Sequence, residues 1–60
     1  MIKIDPLEFI ASLIKCNGNI IEIKEYGLTH EIVYKLQDNS KFVIVVSAKT
    51  FNVVGVYRAD

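Results

Sequence analysis

The sequence lacks most of the features that identify a small protein by function. Its 60 residues include one cysteine, one histidine and no tryptophan, and seven basic residues balance seven acidic ones. One cysteine cannot form an internal disulfide, so the cross-links of tiny secreted domains are excluded and a cytoplasmic location is expected. A net charge of zero provides no basic field for phosphate, which makes nucleic-acid binding an unfavoured function.

Long apolar segments are also absent. The apolar runs at 43–46 and 53–56 are far shorter than the ~20 residues that cross a bilayer. Residues 1–5 are not followed by the apolar stretch and small-residue cleavage site of a signal peptide. We therefore expect neither a membrane segment nor an export signal.

What the sequence does contain is enough apolar material to fold. Hydrophobic residues make up 52% of the chain and the mean hydropathy is +0.33, values that are too high for a disordered segment. A single domain of this size buries only ~60% of the surface that its unfolded chain exposes. We expect one domain, residues 1–60, of marginal stability.

The strongest local pattern predicts a helix near the N-terminus. Asp5, Pro6 and Glu8 match an N-cap, a proline in the first helical position and an acid three residues after the cap. Ile4 and Phe9 are spaced as a hydrophobic staple. The helix should end at Asn17 and Gly18, where glycine can adopt the left-handed conformation.

Apolar residues cover most of the circumference of this predicted helix. At about 100° per residue, they leave only a narrow polar stripe of Glu8, Ser12 and Lys15. A helix of this kind is expected to be buried on more than one side. Its apolar residues are Leu7, Phe9, Ile10, Ala11, Leu13, Ile14 and Cys16.

After Gly18 the hydrophobic pattern changes to alternation with many β-branched residues, which predicts strands. The breaks between them are short enough for hairpins. The predicted fold is α+β, with one N-terminal helix packed on a four-stranded antiparallel meander sheet. The predicted strands cover residues 20–26, 31–37, 41–48 and 51–58.

The last two predicted strands are apolar on both faces. With Phe42 and Phe51 directed toward the helix, regular alternation places four valines on the opposite face, which one helix cannot cover. Contiguous exposed apolar patches usually mark contact surfaces. The alternatives are that residues 1–4 fold over the patch or that sheet twist curls it into the core. The residues predicted to bind a partner are Val43, Val45, Val54, Val56 and Arg58.

The last strand is also predicted to be an open edge that can pair with another chain. Together with the valines it predicts a homodimer formed through the last two strands. No residues are assigned to catalysis, to a cofactor or to a metal. His30 is expected to be a polar residue of a turn, and Cys16 a small core residue. We therefore do not expect an enzyme.

The order of elements resembles that of the PepSY domain, with a helix, a glycine turn and strands that end in a valine-rich stretch. The resemblance covers residues 5–57, and its sharpest part is 45–52. PepSY domains commonly have an aspartate and then a Thr-Gly pair in that part, whereas Ser47 and Phe51 occupy the aspartate and glycine positions here. The resemblance implies a small α+β binding module of the kind found in peptidase propeptides, which inhibits or modulates a protein partner.

The leading hypothesis is a small non-catalytic protein-binding module that inhibits or modulates a larger protein. Its size and its richness in Ile, Lys and Asn also suit a phage or mobile-element inhibitor of a host or defence protein. The alternative is single-stranded nucleic-acid binding on the open sheet face through Lys24, Lys35, Lys49 and Arg58. A third hypothesis is a small-molecule or peptide sensor that uses a dimer groove.

Overall fold

A computed structural model describes residues 1–59. It contains one helix and a five-stranded antiparallel sheet with strand order β1-β5-β4-β3-β2. The predicted α+β class is confirmed, although the sheet has one strand more than expected. No helix among the described residues is long and apolar enough to span a membrane. The elements are β1 (Ile2–Ile4), α1 (Pro6–Lys15), β2 (Gly18–Glu25), β3 (Thr29–Leu36), β4 (Lys41–Ser47) and β5 (Val53–Arg58).

The additional strand is β1, which pairs with β5. Ile2 lies opposite Arg58, and Ile4 lies opposite Val56. Residues 1–4 therefore extend the sheet and do not fold over its face. Because β1 occupies the outer side of β5, the prediction that the last strand is an open edge is wrong. The two edges of the sheet are β1 and β2.

Helix α1 begins where the sequence predicts. The Asp5 carboxylate accepts a 2.9 Å hydrogen bond from the backbone N–H of Leu7, which satisfies one of the donors left open at a helix start. The helix ends at Lys15, and the N–H of Cys16 donates to the carbonyl of Ser12 at 3.0 Å. Gly18 does not have positive φ, so the expected left-handed termination is wrong.

Helix α1 buries one side only. Its Phe9 ring meets the Tyr34 ring edge-on, with centroids 5.7 Å apart, and lies 5.0 Å from the Phe42 ring. The prediction that the helix is buried on more than one side is wrong, because Leu7, Ile10 and Ile14 are exposed. The core consists of Phe9, Leu36, Phe42 and Val56, with Ile4, Leu13, Cys16, Tyr34 and Ile44 packed against it.

A β-bulge reverses the predicted faces of the residues that follow it in the last strand. The register of β4 and β5 shifts between Val45 and Val46, which lie opposite Gly55 and Val53. Beyond the shift, Val56 lies opposite Ile44, on the side of the sheet that the helix covers. An added residue changes which face every later side chain occupies. The expectation that Val56 faces away from the helix is therefore wrong.

The turn between β3 and β4 contains one of two residues with left-handed backbone among residues 1–59. Asn39 has φ 71°, a conformation that asparagine tolerates better than most residues. The Asp38 carboxylate accepts a 2.9 Å hydrogen bond from the N–H of Ser40. Hydrogen bonds from the side chain and backbone of Ser40 lower the pKa of Asp38 below its ordinary value of 3.8.

Candidate protein-binding surface

The five residues predicted to bind a partner do not form one patch. Val43 and Val56 are buried, with 5% and 2% of their surface exposed. Val45 is half-buried, whereas Val54 and Arg58 are exposed. The expectation that Val43 and Val56 belong to an exposed apolar patch is therefore wrong, because both side chains are buried.

Val43 is covered by its own neighbours. It lies between Val33 of β3 and Tyr57 of β5, and residues directly opposite on adjacent strands share a face. The Tyr57 ring bends toward Gly55, where an added Cβ would lie 3.2 Å from Cε2 of that ring. Val33, Val43 and Val46 are thus buried within one chain and need no partner to cover them.

A group of exposed apolar residues lies where two hairpins end. Leu28, in the β2–β3 turn, is 88% exposed, and Phe51, in the β4–β5 turn, is 67% exposed. Val53 and Val54 follow Phe51 and are also more than half exposed. We call these four residues, Leu28, Phe51, Val53 and Val54, the hairpin-end surface.

Backbone hydrogen bonds fix the β4–β5 turn. Ser47 donates its N–H to the carbonyl of Asn52 at 2.9 Å and accepts from the N–H of Phe51 at 2.8 Å through its own carbonyl. The Ser47 hydroxyl oxygen accepts from the N–H groups of Lys49 and Thr50 at 3.3 and 3.4 Å. A serine hydroxyl commonly stabilises turns in this way. The turn that carries Phe51 is therefore well defined.

Phe51 adopts left-handed backbone with φ 60°. This conformation suits glycine, and for other residues it costs of order 1–3 kcal/mol. The surrounding hydrogen bonds of Ser47 hold the residue there. A large aromatic side chain is thus kept exposed at a position where glycine would be less strained.

A further hydrogen bond joins the two turns. The N–H of Ala48 donates to the carbonyl of Leu28 at 3.1 Å. The β2–β3 turn itself is closed by the N–H of Tyr26, which donates to the carbonyl of Thr29 at 2.8 Å. Leu28 and Phe51 are consequently held at the same end of the sheet by paired backbone.

His30 lies next to this surface. Its ring centroid is 6.0 Å from that of Phe51, and both His30 and Val53 lie opposite Val46. His30 belongs to β3, so its expected place in a turn is wrong. Its Nδ1 atom is buried and has no hydrogen-bond partner. The imidazole ring of His30 therefore lies beside the Phe51 ring of the hairpin-end surface.

The hairpin-end surface is apolar and exposed. Among residues 1–59, no group of three or more His, Cys, Asp or Glu residues could hold a metal ion, and no cavity is present. Cys16, a free thiol, packs against the core. Exposed apolar side chains on a fixed backbone are suited to burial against another protein.

A second exposed apolar surface runs along the helix. Leu7, Ile10 and Ile14 have the i, i+3, i+7 spacing that places side chains on one helix face. Ile14 is 82% exposed. This helix stripe lies away from Phe9, which faces the core, and its backbone is regular. It is therefore an additional apolar surface without the strain that marks Phe51.

The basic residues of the alternative hypothesis occupy different parts of the molecule. Lys24 lies opposite Glu31, and Lys35 lies opposite Lys41, on the sheet face away from the helix. Arg58 lies opposite Phe42 of the core, which places it on the other face. The four residues named for nucleic-acid binding, Lys24, Lys35, Lys49 and Arg58, are thus not brought together.

Sequence reasoning did not identify Leu28, and it placed Phe51 in the last strand facing the helix, which is wrong because Phe51 lies in the β4–β5 turn and is exposed. A signal for Phe51 was present, since residues 48–52, which join β4 to β5, include neither glycine nor proline. Such a turn requires some other residue to adopt the conformation that glycine usually supplies. No comparable signal marked Leu28.

Comparisons with protein-family models, with curated proteins and with solved structures found no match. The resemblance to PepSY domains therefore remains a prediction.

Proposed function

We propose that the protein is a small non-catalytic protein-binding module that inhibits or modulates a larger protein through its hairpin-end surface. Phe51 is the observation that carries this proposal. Its left-handed φ of 60° is costly in a chain whose total stability is only ~5 kcal/mol. Strained residues are concentrated at functional sites, and exposed aromatic residues are frequent hot spots of binding.

The rigid backbone of the surface supports the same function. The hydrogen bonds of Ser47 and the link from Ala48 to Leu28 order both turns without a partner. Binding through residues that are already ordered avoids much of the entropy cost of forming a complex. Leu28 and Phe51 would be the two anchors, and Val53 and Val54 would extend the contact between them and the sheet.

Two glycine substitutions test the proposal. Phe51→Gly removes the ring and suits the left-handed backbone, whereas Asn39→Gly makes the matched change at the other left-handed position. Each variant is expressed with a tag in the source cell and purified through that tag. The proteins that the variant retains during purification are identified and quantified. We expect one protein to be retained by the wild type and by Asn39→Gly, and lost with Phe51→Gly.

The opposite pattern contradicts the proposal. If Phe51→Gly retains the same protein in the same amount as the wild type, the hairpin-end surface is not the binding site. Thermal unfolding of both variants verifies that each is folded. A retained protein that is lost with both variants would also count against a specific role for Phe51.

The alternative function, single-stranded nucleic-acid binding on the open sheet face, is supported by a different observation. Lys35 and Lys41 lie directly opposite each other, and like charges in this arrangement repel. A phosphate would relieve that repulsion. Fluorescence anisotropy with a labelled oligonucleotide at low salt tests it: binding that falls steeply with salt and weakens in Lys35→Gln favours this function, and no binding at low salt excludes it.

A further inference from the structure

We propose that two copies of this chain pair through their β2 edges, antiparallel and centred on Ile23, so that the two sheets form one continuous sheet. The partner is a second copy, and the contact is symmetric, with the same residues contributed by both chains. This arrangement replaces the homodimer through the last two strands, because β5 is an interior strand. It does not rest on the hairpin-end surface, whose four residues are kept in every variant of its test.

The β2 strand is the longer of the two open edges. It has eight residues, compared with three in β1, and every residue after Gly18 is exposed. Its isoleucines at positions 20, 21 and 23 are each more than half exposed. An exposed strand edge with unpaired backbone groups is a template for pairing with another chain.

The hairpin geometry determines which backbone groups of β2 are open. The hydrogen bond from the N–H of Tyr26 to the carbonyl of Thr29 makes this pair a hydrogen-bonded one. Hydrogen-bonded and non-hydrogen-bonded pairs alternate along an antiparallel ladder. Lys24–Glu31 is the second pair after Tyr26–Thr29 and is therefore a hydrogen-bonded one, whereas Ile23–Ile32 is the third and is not. The groups of Lys24 therefore point toward β3, and those of Ile23 point outward.

Centring on Ile23 uses these open groups in the way an antiparallel pair requires. The N–H of Ile23 in each chain would donate to the carbonyl of Ile23 in the other, which forms a hydrogen-bonded pair on the symmetry axis. The neighbouring pairs are then non-hydrogen-bonded, and their side chains approach most closely.

The charges of β2 select this register. With Ile23 on the axis, Glu22 of each chain lies opposite Lys24 of the other, which gives two attractive pairs. Centring on Glu22 would place two glutamates opposite each other, and centring on Lys24 would place two lysines opposite each other. Like charges directly opposite are unfavourable, so the sequence Glu22-Ile23-Lys24 is complementary to itself in one register.

Charge-reversal variants test this pairing. Glu22→Lys and Lys24→Glu each convert both attractive pairs into repulsive ones, whereas the double variant exchanges the charges and restores attraction. Lys49→Glu, in the β4–β5 turn, is the matched control for a reversal outside β2. The mass of each protein is measured by sedimentation equilibrium over a range of concentrations.

We expect the wild type, the double variant and Lys49→Glu to be dimers. Each single β2 variant should have a dissociation constant at least about tenfold higher, as expected when two cross-strand pairs change sign. Mixing the two single variants should restore a dimer, because the lysines of one chain then face the glutamates of the other. The wild-type dimer should also weaken with salt.

Three results overturn the proposal: a wild-type monomer at every concentration, single variants that dimerise as well as the wild type, or a mixture that remains monomeric. Thermal unfolding identifies a variant that fails to fold. Lys24→Glu places an acid opposite Glu31 within its own chain, and the double variant carries the same intramolecular repulsion. If the double variant dimerises, the loss of the dimer in Lys24→Glu is therefore caused by the contact between chains and not by impaired folding.

Discussion

The hydroxyl of Tyr34 donates a 3.0 Å hydrogen bond to the carbonyl of Gly18, while the Phe9 ring meets the Tyr34 ring edge-on. One side chain of β3 thus contacts both the helix and the residue with which β2 begins. Gln37, the residue after β3, adds a backbone link, because its N–H donates to the carbonyl of Asn17 at 2.8 Å. Together these contacts fix the connection from α1 to β2.

Replacing Tyr34 with phenylalanine should lower the stability by about 0.5–1.5 kcal/mol, because it removes one part-buried hydrogen bond and keeps the ring. Urea unfolding gives the value. Tyr26→Phe is the matched control, because Tyr26 is half-exposed immediately after β2. This substitution should leave the stability unchanged. Equal effects of the two substitutions would show that the Gly18 contact is unimportant.

Gly18 is required for close approach and not for an unusual backbone angle. A Cβ at this position would lie 2.6 Å from both the Leu36 side chain and the Lys35 carbonyl oxygen. Gly18→Ala should therefore destabilise the fold by about 1–3 kcal/mol, as overpacking does. At Gly27 a Cβ meets nothing within 4 Å, so Gly27→Ala should be neutral or stabilising by up to about 1 kcal/mol. The reverse order in thermal unfolding would contradict this account.

The strain at Phe51 can be measured by comparing two truncations. Phe51→Gly and Phe51→Ala both remove the ring contact with His30, but only glycine suits φ 60°. The glycine variant should therefore be more stable than the alanine variant by about 1 kcal/mol or more. At an ordinary backbone position alanine is the more stable of the two, so that order in urea unfolding would contradict the strain.

The two sides of helix α1 should respond differently to substitution. Ile14→Gln should change the stability by less than about 0.5 kcal/mol, because Ile14 is largely exposed and surface changes are usually small. Phe9→Ala should cost about 3–5 kcal/mol, since Phe9 contacts two aromatic rings in the core. A large loss in Ile14→Gln would show that the helix stripe is buried.

Local signals in the sequence were sufficient for the helix start and for most of the sheet. The N-cap at Asp5 forms as predicted, because capping depends on neighbouring residues alone. Hairpins connect β2, β3, β4 and β5 in chain order. Alternation places Ile23 and Ile32 on the same face of the sheet, and the two residues lie opposite each other.

The errors arise where distant residues decide the structure. Strand β1 has three residues and pairs with β5 near the other end of the chain, so no local alternation indicates it. The bulge opposite Val45 and Val46 changes the faces of the last strand, and it moved Val56 from the predicted contact surface into the core. Bulges depend on the pairing of two strands and have no reliable local pattern.

Site-specific photo-crosslinking in the source cell tests most directly whether the hairpin-end surface binds a larger protein. A photoreactive amino acid is placed in turn at Leu28, Phe51 and Val54, and at Asn39 and Lys35 as controls away from the hairpin-end surface. We expect one larger protein to be crosslinked from the three hairpin-end positions and from neither control. Crosslinking of that protein from Asn39 or Lys35, with none from the hairpin-end positions, would contradict it.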